Sequence, residues 1–278
     1  MALWLRRAGV RALGLALAVF GLLAAGVAAG GQQEKLNVPV NPFRDVRDKT
    51  ILVLSPHPDE DFVGCAGALA FLAGRANRLT IVYLTAGEKA TFDSHMQAET
   101  FRKIRMEEAA AAYRSLGFSD ADLIWLNYEH GELDAASPRE VRERLVQIIR
   151  KIRPHLAFAL DPVISYQGDN EPDRRAAARL GADALRATER PLAYPKTGLA
   201  YRVPEVYYFY PDRPTLQLDI SEMYERKLAS LARIQSQFPP ALYHLSHGHS
   251  GTPPARMDIV ARVRSRTGAA TLEAFRKR

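Results

Sequence analysis

An imidazole and three carboxylates fall within five consecutive residues, in the segment His57-Pro58-Asp59-Glu60-Asp61. Imidazole nitrogens and carboxylate oxygens together suit zinc or another divalent first-row metal. The alternative is a turn that begins a helix, where an acidic side chain caps the first turn and interacts favourably with the helix dipole. Capping accounts for one acid but not for three that follow a His-Pro pair. The segment therefore predicts a metal-type site.

A second polar and acidic segment covers residues 161–174 and also follows an apolar run. Two acidic loops that face each other across one crevice repel strongly unless a cation or a basic side chain lies between them. If the fold brings the two segments together, we expect them to share one site.

Short apolar runs alternate with helical patterns along the chain, which is typical of strand–helix units in series. The predicted strands are Ile51–Leu54, Leu79–Leu84, Leu123–Leu126, Leu156–Leu160 and Val206–Tyr210. The predicted helices are Gly64–Gly74, residues 96–116, Ser137–Lys151, Pro172–Leu185 and Ser221–Gln237. This alternation predicts an α/β, Rossmann-like three-layer fold with a mainly parallel sheet. In the strand order 3-2-1-4, the first and fourth strands are neighbours, so both acidic segments lie at the same crevice.

Composition and missing motifs exclude several classes of function. No G-x-G-x-x-G follows the first strand, and the sequence has neither a Walker A motif nor a G-x-S-x-G elbow. Cys65 is the only cysteine of the 278 residues, which excludes an internal disulfide and a cysteine-based zinc module. The net charge of +7 is not gathered in basic blocks, so we expect no nucleic-acid partner.

The first thirty residues have the pattern of a targeting segment. Arg6, Arg7 and Arg11 precede an uncharged apolar stretch, and small residues lie before position 30. This predicts a signal peptide over residues 1–29 and an exported protein, periplasmic or secreted. The alternative is an uncleaved membrane anchor through residues 12–30, because the apolar stretch is at the lower limit for spanning a bilayer. Residues 30–49 are predicted to be a linker and residues 50–278 a domain that meets a membrane only through the N-terminal segment.

Several motifs occur in a fixed order after residue 50. The first, SPHPDEDFVGCAG at 55–67, is followed by LTAGE at 84–88, RMEE at 105–108, EPDRRAA at 171–177 and the segment 227–237. Together they resemble the PIG-L/LmbE-like de-N-acetylases, zinc enzymes that remove acetyl groups from N-acetylglucosaminyl substrates. The resemblance covers nearly everything from about residue 50 onward. It implies an LmbE-like fold, Zn²⁺ or another divalent metal, and hydrolysis of the acyl (acetyl) group of an N-acylated amino sugar or its conjugate.

The resemblance also assigns roles to residues of the first motif. His57 matches a metal ligand, and Glu60 falls where relatives have an aspartate ligand. Asp59 matches the general base that acts on the metal-bound water. Arg105 matches a substrate-binding arginine, although a helix-surface pair with Glu108 is an equally good interpretation.

The second family motif, H-P-D-H, reads Glu171-Pro172-Asp173-Arg174 in this sequence. Arginine has no acceptor atom, so Arg174 cannot be the third metal ligand, and we predict that it binds substrate or neutralises nearby acids. Glu171 is predicted to act as a catalytic acid or as a replacement ligand. His130 occupies a place where relatives have a substrate-binding aspartate; an exposed turn histidine is the alternative. A later family histidine is Ile234 here.

Three functions remain open at this point. The first is a metal-dependent hydrolase acting on an N-acylated amino sugar, which the retained His57 and Asp59 favour. The second is a catalytically decayed carbohydrate-binding protein of the same fold, which Arg174 and Ile234 favour. The third is a hydrolase with metal-free chemistry. An Arg174 guanidinium within salt-bridge reach of the pair His57 and Glu60 would indicate a replaced metal position. An open coordination position beside His130 or Glu171 would indicate a rebuilt one.

Overall fold

The apolar runs of the sequence form the strands of one seven-stranded sheet. The computed structural model describes residues 41–91, 93–163, 171–238 and 271–278, which belong to one compact unit. Its strands are β1 Thr50–Ser55, β2 Arg78–Thr85, β3 Asp122–Tyr128, β4 Leu156–Leu160, β5 Glu205–Phe209, β6 Leu216–Asp219 and β7 Leu272–Lys277. The order is β3-β2-β1-β4-β5-β7-β6. The first five strands are parallel, whereas β7 runs antiparallel to both β5 and β6.

Helices cover both faces of the sheet, which gives the predicted three-layer α/β fold. They are α1 Glu60–Leu72, α2 Ala98–Leu116, α3 Pro138–Ile152, α4 Pro172–Ala187 and α5 Tyr224–Leu231, with short 3₁₀ turns at Pro195–Thr197 and Ser221–Met223. Alternate residues of β1 enter different cores: Ile51 and Val53 pack with α1, α2 and α5, and Leu52 and Leu54 pack with α3 and α4. A strand buried on both faces must be apolar throughout, which explains its continuous apolar run.

Two predicted helices have different limits in the structure. The helix predicted over Gly64–Gly74 spans Glu60–Leu72. The helix predicted over Ser221–Gln237 ends at Leu231, and turns replace its last part. The backbone N–H and the hydroxyl of Ser236 donate to the Glu108 carboxylate, 2.8 and 2.5 Å away, which draws this segment against α2. Phe43, inside the segment predicted to be a linker, is fully buried in the core.

The targeting segment predicted over residues 1–29 lies outside the described residues. Among the residues that are described, no helix is both long enough and apolar enough to cross a membrane.

Candidate active site

The predicted site residues meet at the carboxyl-terminal edge of the parallel strands. His57 and Asp59 follow β1, His130 follows β3, and the segment Glu171–Arg174 begins α4 beyond β4. Arg105 reaches this edge from α2. Parallel strands bring their carboxyl ends to one edge of a sheet, and the crevice there is where open α/β sheets bind ligands. The fold therefore brings the first acidic segment and the Glu171–Arg174 end of the second to one site.

Asp59 and Arg105 form a buried ion pair. The Arg105 Nη2 donates to Asp59 Oδ1 over 2.9 Å, and its Nε donates to the Ala86 carbonyl over 3.3 Å. Asp59 is the residue before α1, but its side chain makes no capping hydrogen bond. Asp59 therefore holds the N-cap position of α1 while its side chain pairs with Arg105 and caps no N–H group. Arg105 is 1% exposed, so the alternative of a helix-surface pair with Glu108 is wrong.

The Arg105 guanidinium determines the charge state of Asp59. Burial alone would raise the pKa of this carboxyl, but the neighbouring Arg105, with smaller contributions from His57 and Arg174, holds the pKa well below its usual value. Asp59 is therefore ionised at neutral pH. The same guanidinium explains Gly87 in the LTAGE motif: Gly87 has a φ of +68°, and a Cβ there would lie 2.6 Å from Arg105 Nη2.

Arg174 occupies the position at which the family resemblance expects the third metal ligand, and it pairs with the second. Its Nε donates to Glu60 Oε1 over 2.7 Å, and its Nη2 contacts the same oxygen. Glu60 is 1% exposed and Arg174 7% exposed. A guanidinium supplies only donors, so the set His57, Glu60 and Arg174 does not fit a divalent ion at that position.

His57 lies between these ion pairs and the second acidic segment. Its Nε2 is 3.1 Å from Asp173 Oδ2 and 3.6 Å from Glu171 Oε1. The rings of His57 and His130 meet edge to face, with centroids 4.9 Å apart. The structure thus brings together every residue to which the sequence analysis assigned a site role, in two adjoining groups on either side of His57.

Asp173 is the site residue that sequence reasoning did not assign a role. Its carboxylate accepts hydrogen bonds from the Gly131 and Leu133 N–H groups, at 2.7 and 2.9 Å, as well as facing His57. It therefore fixes the turn that carries His130 against the start of α4. The position of Asp173 inside the second family motif was the one sequence feature that could have indicated a role for it.

The surroundings shift the pKa values of Glu171, Asp173 and His130 in different directions. Burial raises the pKa of Glu171, and the neighbouring Asp173 carboxylate adds to the effect. Although burial opposes it, hydrogen bonds from His57 and from the turn lower the pKa of Asp173. Burial and the nearby His57 lower the pKa of His130 to about 4, which leaves its imidazole neutral at physiological pH.

Two sets of side chains in the described residues place metal-type donor atoms within 4.8 Å of one another. The first set is His57, Asp59 and Glu60; the second is His57, His130, Glu171 and Asp173. The guanidinium groups of Arg105 and Arg174 compensate the carboxylates of the first set. In the second set, two carboxylates converge on one imidazole.

Comparison with known proteins places this arrangement in a family. The family model described as GlcNAc-PI de-N-acetylase, PIG-L, matches residues 52–185. The diacetylchitobiose deacetylase of Thermococcus kodakarensis is 30% identical over 216 residues, which are 76% of this chain and 78% of the relative. The chain belongs to the PIG-L family. The family predicted from the motifs is confirmed.

Two further relatives show how far the likeness of this PIG-L protein extends. The structure of N,N'-diacetylchitobiose deacetylase from Pyrococcus horikoshii, complexed with its inhibitor, has a TM-score of 0.70 at 26% identity and covers 95% of this chain and 92% of its own. A 1D-myo-inositol 2-acetamido-2-deoxy-alpha-D-glucopyranoside deacetylase of Streptomyces avermitilis is 24% identical over 63% of this chain and 66% of its own length. The predicted fold class is confirmed over nearly the whole PIG-L domain.

Proposed function

We propose that this PIG-L protein is a hydrolase that removes the acetyl group from an N-acetylated amino sugar or its conjugate. Relatives named as deacetylases of diacetylchitobiose and of a GlcNAc-inositol support the substrate class. The observation that carries the proposal is the buried, ionised Asp59 held by Arg105 beside His57. A carboxylate fixed in this way at the crevice is suited to take a proton from an attacking water.

Hydrolysis of an acetamide needs three things: a proton acceptor for water, a positive group near the carbonyl oxygen, and a proton for the leaving amine. Asp59 accepts the proton of water and can return it to the amine nitrogen. Arg105 supplies the positive charge, and its Nη1 is a buried donor that has no hydrogen-bond partner in the described part of the chain. A substrate oxygen reaches Nη1 only when the crevice opens beside it, because Arg105 is 1% exposed. A buried donor left unpaired is costly, so a substrate oxygen that fills this place gains a strong hydrogen bond.

A divalent metal such as zinc, if held by His57, His130, Glu171 and Asp173, would polarise the acetamide carbonyl and lower the pKa of a water molecule. The chain's own contribution is to orient the groups around it. Arg174 keeps the Glu60 carboxylate compensated, and Asp173 holds the His130 turn in register with His57.

The test is an assay of acetate and amine release from N,N'-diacetylchitobiose and N-acetylglucosamine. We expect the wild-type protein to release acetate, and Asp59→Asn to slow the reaction by ~100-fold or more, since general-base contributions are of this size. Asp120→Asn, which neutralises an exposed carboxylate after α2, is the matched control and should keep the wild-type rate.

Thermal unfolding of both variants shows whether Asp59→Asn remains folded. A folded Asp59→Asn protein that turns over at the wild-type rate would contradict the proposal. So would a wild-type protein that binds these sugars without releasing acetate, which is the behaviour of a carbohydrate-binding member of the fold.

A further inference from the structure

The negative charges on one side of His57 are already compensated by the chain itself. The Nε of Arg174 lies 2.7 Å from Glu60 Oε1, and the Nη2 of Arg105 lies 2.9 Å from Asp59 Oδ1. A divalent cation placed between Asp59 and Glu60 would meet two buried guanidinium charges. This side of the crevice is therefore a poor place for a metal.

The other side of His57 has the opposite balance. Glu171 Oε1 and Asp173 Oδ2 converge on His57 Nε2, at 3.6 and 3.1 Å. In a tetrahedral zinc site with metal–ligand distances near 2.0–2.1 Å, neighbouring ligand atoms lie roughly 3.3 Å apart. The two measured distances bracket this value. The Nε of Arg174, in the first turn of α4, lies 3.8 Å from the other carboxylate oxygen of Glu171, Oε2. This oxygen also caps α4 by accepting the Arg174 N–H.

His130 supplies a fourth donor, and its backbone is fixed independently of its side chain. The His130 N–H donates to Glu88 Oε1 over 2.9 Å, and the next N–H, of Gly131, donates to Asp173 over 2.7 Å. These bonds place the imidazole 4.9 Å from the His57 ring, within the group whose donor atoms all lie within 4.8 Å of one another. Two imidazoles and two carboxylates form the mixed nitrogen and oxygen set that zinc and similar divalent metals accept.

We propose that His57, His130, Glu171 and Asp173 bind a divalent transition metal, beside the position that the family resemblance indicates and not at it. The proposal rests on the proposed function in so far as the metal serves deacetylation. Glu171 is then a ligand, which replaces the acid role predicted from the sequence. The competing arrangement is metal-free: a protonated His57 that forms ion pairs with both carboxylates.

The two sides of His57 can be separated by one pair of variants. Full-length wild-type protein, His130→Ala and Glu60→Gln are stripped with a chelator, reloaded with Zn²⁺ or Co²⁺, dialysed and measured for metal content. We expect about one ion per chain in the wild type and in Glu60→Gln, and at least ~10-fold weaker metal binding in His130→Ala. His130→Ala keeps the backbone hydrogen bonds of its turn, so it should fold.

Glu60→Gln leaves Arg174 without its carboxylate; if that variant fails to fold, Asp59→Asn takes its place as the control from the same side of His57. The absorption of the Co²⁺ protein gives a second readout, because nitrogen ligands intensify and shift its visible bands. Loss of the ion in Glu60→Gln and its retention in His130→Ala would overturn the proposal in favour of the family position. A wild-type protein that binds no ion would overturn the proposal in favour of the metal-free arrangement, in which His57 pairs with Glu171 and Asp173.

The outcome is independent of the deacetylase assay. An ion that depends on His130 in a protein that releases no acetate would leave the metal site intact and contradict the proposed function. Acetate release by a protein that binds no metal would support the proposed function and contradict the metal site.

Discussion

Three consecutive acids of the first motif have three different partners. Asp59 pairs with Arg105, Glu60 with Arg174, and Asp61 with the hydroxyls of Tyr83 and Tyr113. The reason is helical geometry: successive residues of a helix point about 100° apart, so acids that are adjacent in sequence diverge at the start of α1. Asp61 is directed into the core and does not belong to the cluster around His57.

Asp61 makes the stability of the protein depend on pH. Burial raises its pKa to about 7, against 3.8 in a model peptide, although the tyrosine hydroxyls oppose the shift. Between these two values the folded chain keeps a proton that the unfolded chain has lost, so the free energy of unfolding falls as pH rises from about 4 to 7 and is flat above. We expect Asp61→Asn, which does not titrate, to lack this fall.

Urea unfolding at pH 5 and pH 8 measures the effect. From pH 5 to pH 8 the wild type should lose more stability than Asp61→Asn, by ~2 kcal/mol. Asp120→Asn, with an exposed carboxylate, should behave like the wild type. Equal pH dependence in Asp61→Asn and the wild type would show that Asp61 is ionised in the folded protein.

The sequence predicted which residues gather at the site and part of how they pair. His57, Asp59 and Glu60 could be grouped because strand ends meet at one edge of a parallel sheet. Arg174 was expected to neutralise nearby acids, and its pair with Glu60 agrees with this, whereas the Asp59–Arg105 pair was not predicted. The role of Asp173 comes from hydrogen bonds to backbone N–H groups of a turn after β3, which carry no signature in residue types.

At the scale of elements, helix α1 is held by groups from two distant segments. Lys227 of α5 donates from Nζ to the Val63 carbonyl and to Glu273 Oε1, over 2.7 and 2.6 Å. Glu273 of β7 in turn accepts from the N–H groups of Gly67 and Ala68. A buried ion pair thus makes hydrogen bonds to backbone groups in the middle of the helix that begins at the site.

Lys227→Met should destabilise the protein by about 3 kcal/mol, because it leaves the Glu273 carboxylate buried without its cation. The double variant Lys227→Met, Glu273→Gln removes both charges and should recover at least ~1 kcal/mol of that loss. Urea unfolding of the single and double variants measures both terms. Additive losses in the double variant would show that the two side chains are not coupled.

Elements with a strong local pattern were predicted closely, and those set by distant partners were not. The predicted limits of β4 are exact, and those of β1, β2 and β3 lie within two residues of the observed ones. Strands β6 and β7 were not predicted. Residues 216–219 alternate apolar and polar side chains over only four positions, and residues 272–277 do not alternate at all. Each segment becomes a strand because the other pairs with it.

At the scale of the whole molecule, an aromatic cluster brings together residues from both ends of the described part of the chain. Phe275 of β7 lies 5.8 Å from Phe158 of β4 and 6.2 Å from both Phe43 and Tyr207, between ring centroids. All four rings are buried. The segment before β1 and the last described strand are therefore parts of one core, and their burial is cooperative.

Phe275→Ala should lower the free energy of unfolding by ~3–5 kcal/mol, the usual cost of removing a buried phenyl ring. Leu272→Ala in the same strand is the matched control: Leu272 is 37% exposed, so we expect a loss below ~1 kcal/mol. Denaturant unfolding gives both values. Similar losses in the two variants would mean that β7 contributes through its backbone pairing alone.

The position of β7 also bears on how the protein is made. Chains emerge from the ribosome from the N-terminus onward, and domains fold as units during synthesis. Strand β7 is the last of the described strands in sequence, yet it lies between β5 and β6 and is the strand with which β6 pairs. Until residues 272–277 have emerged, β6 lacks this partner and Lys227 lacks Glu273 as its counter-ion. The sheet of the nascent chain is therefore incomplete until β7 has emerged, and α1 lacks its hydrogen bonds to Glu273 until then.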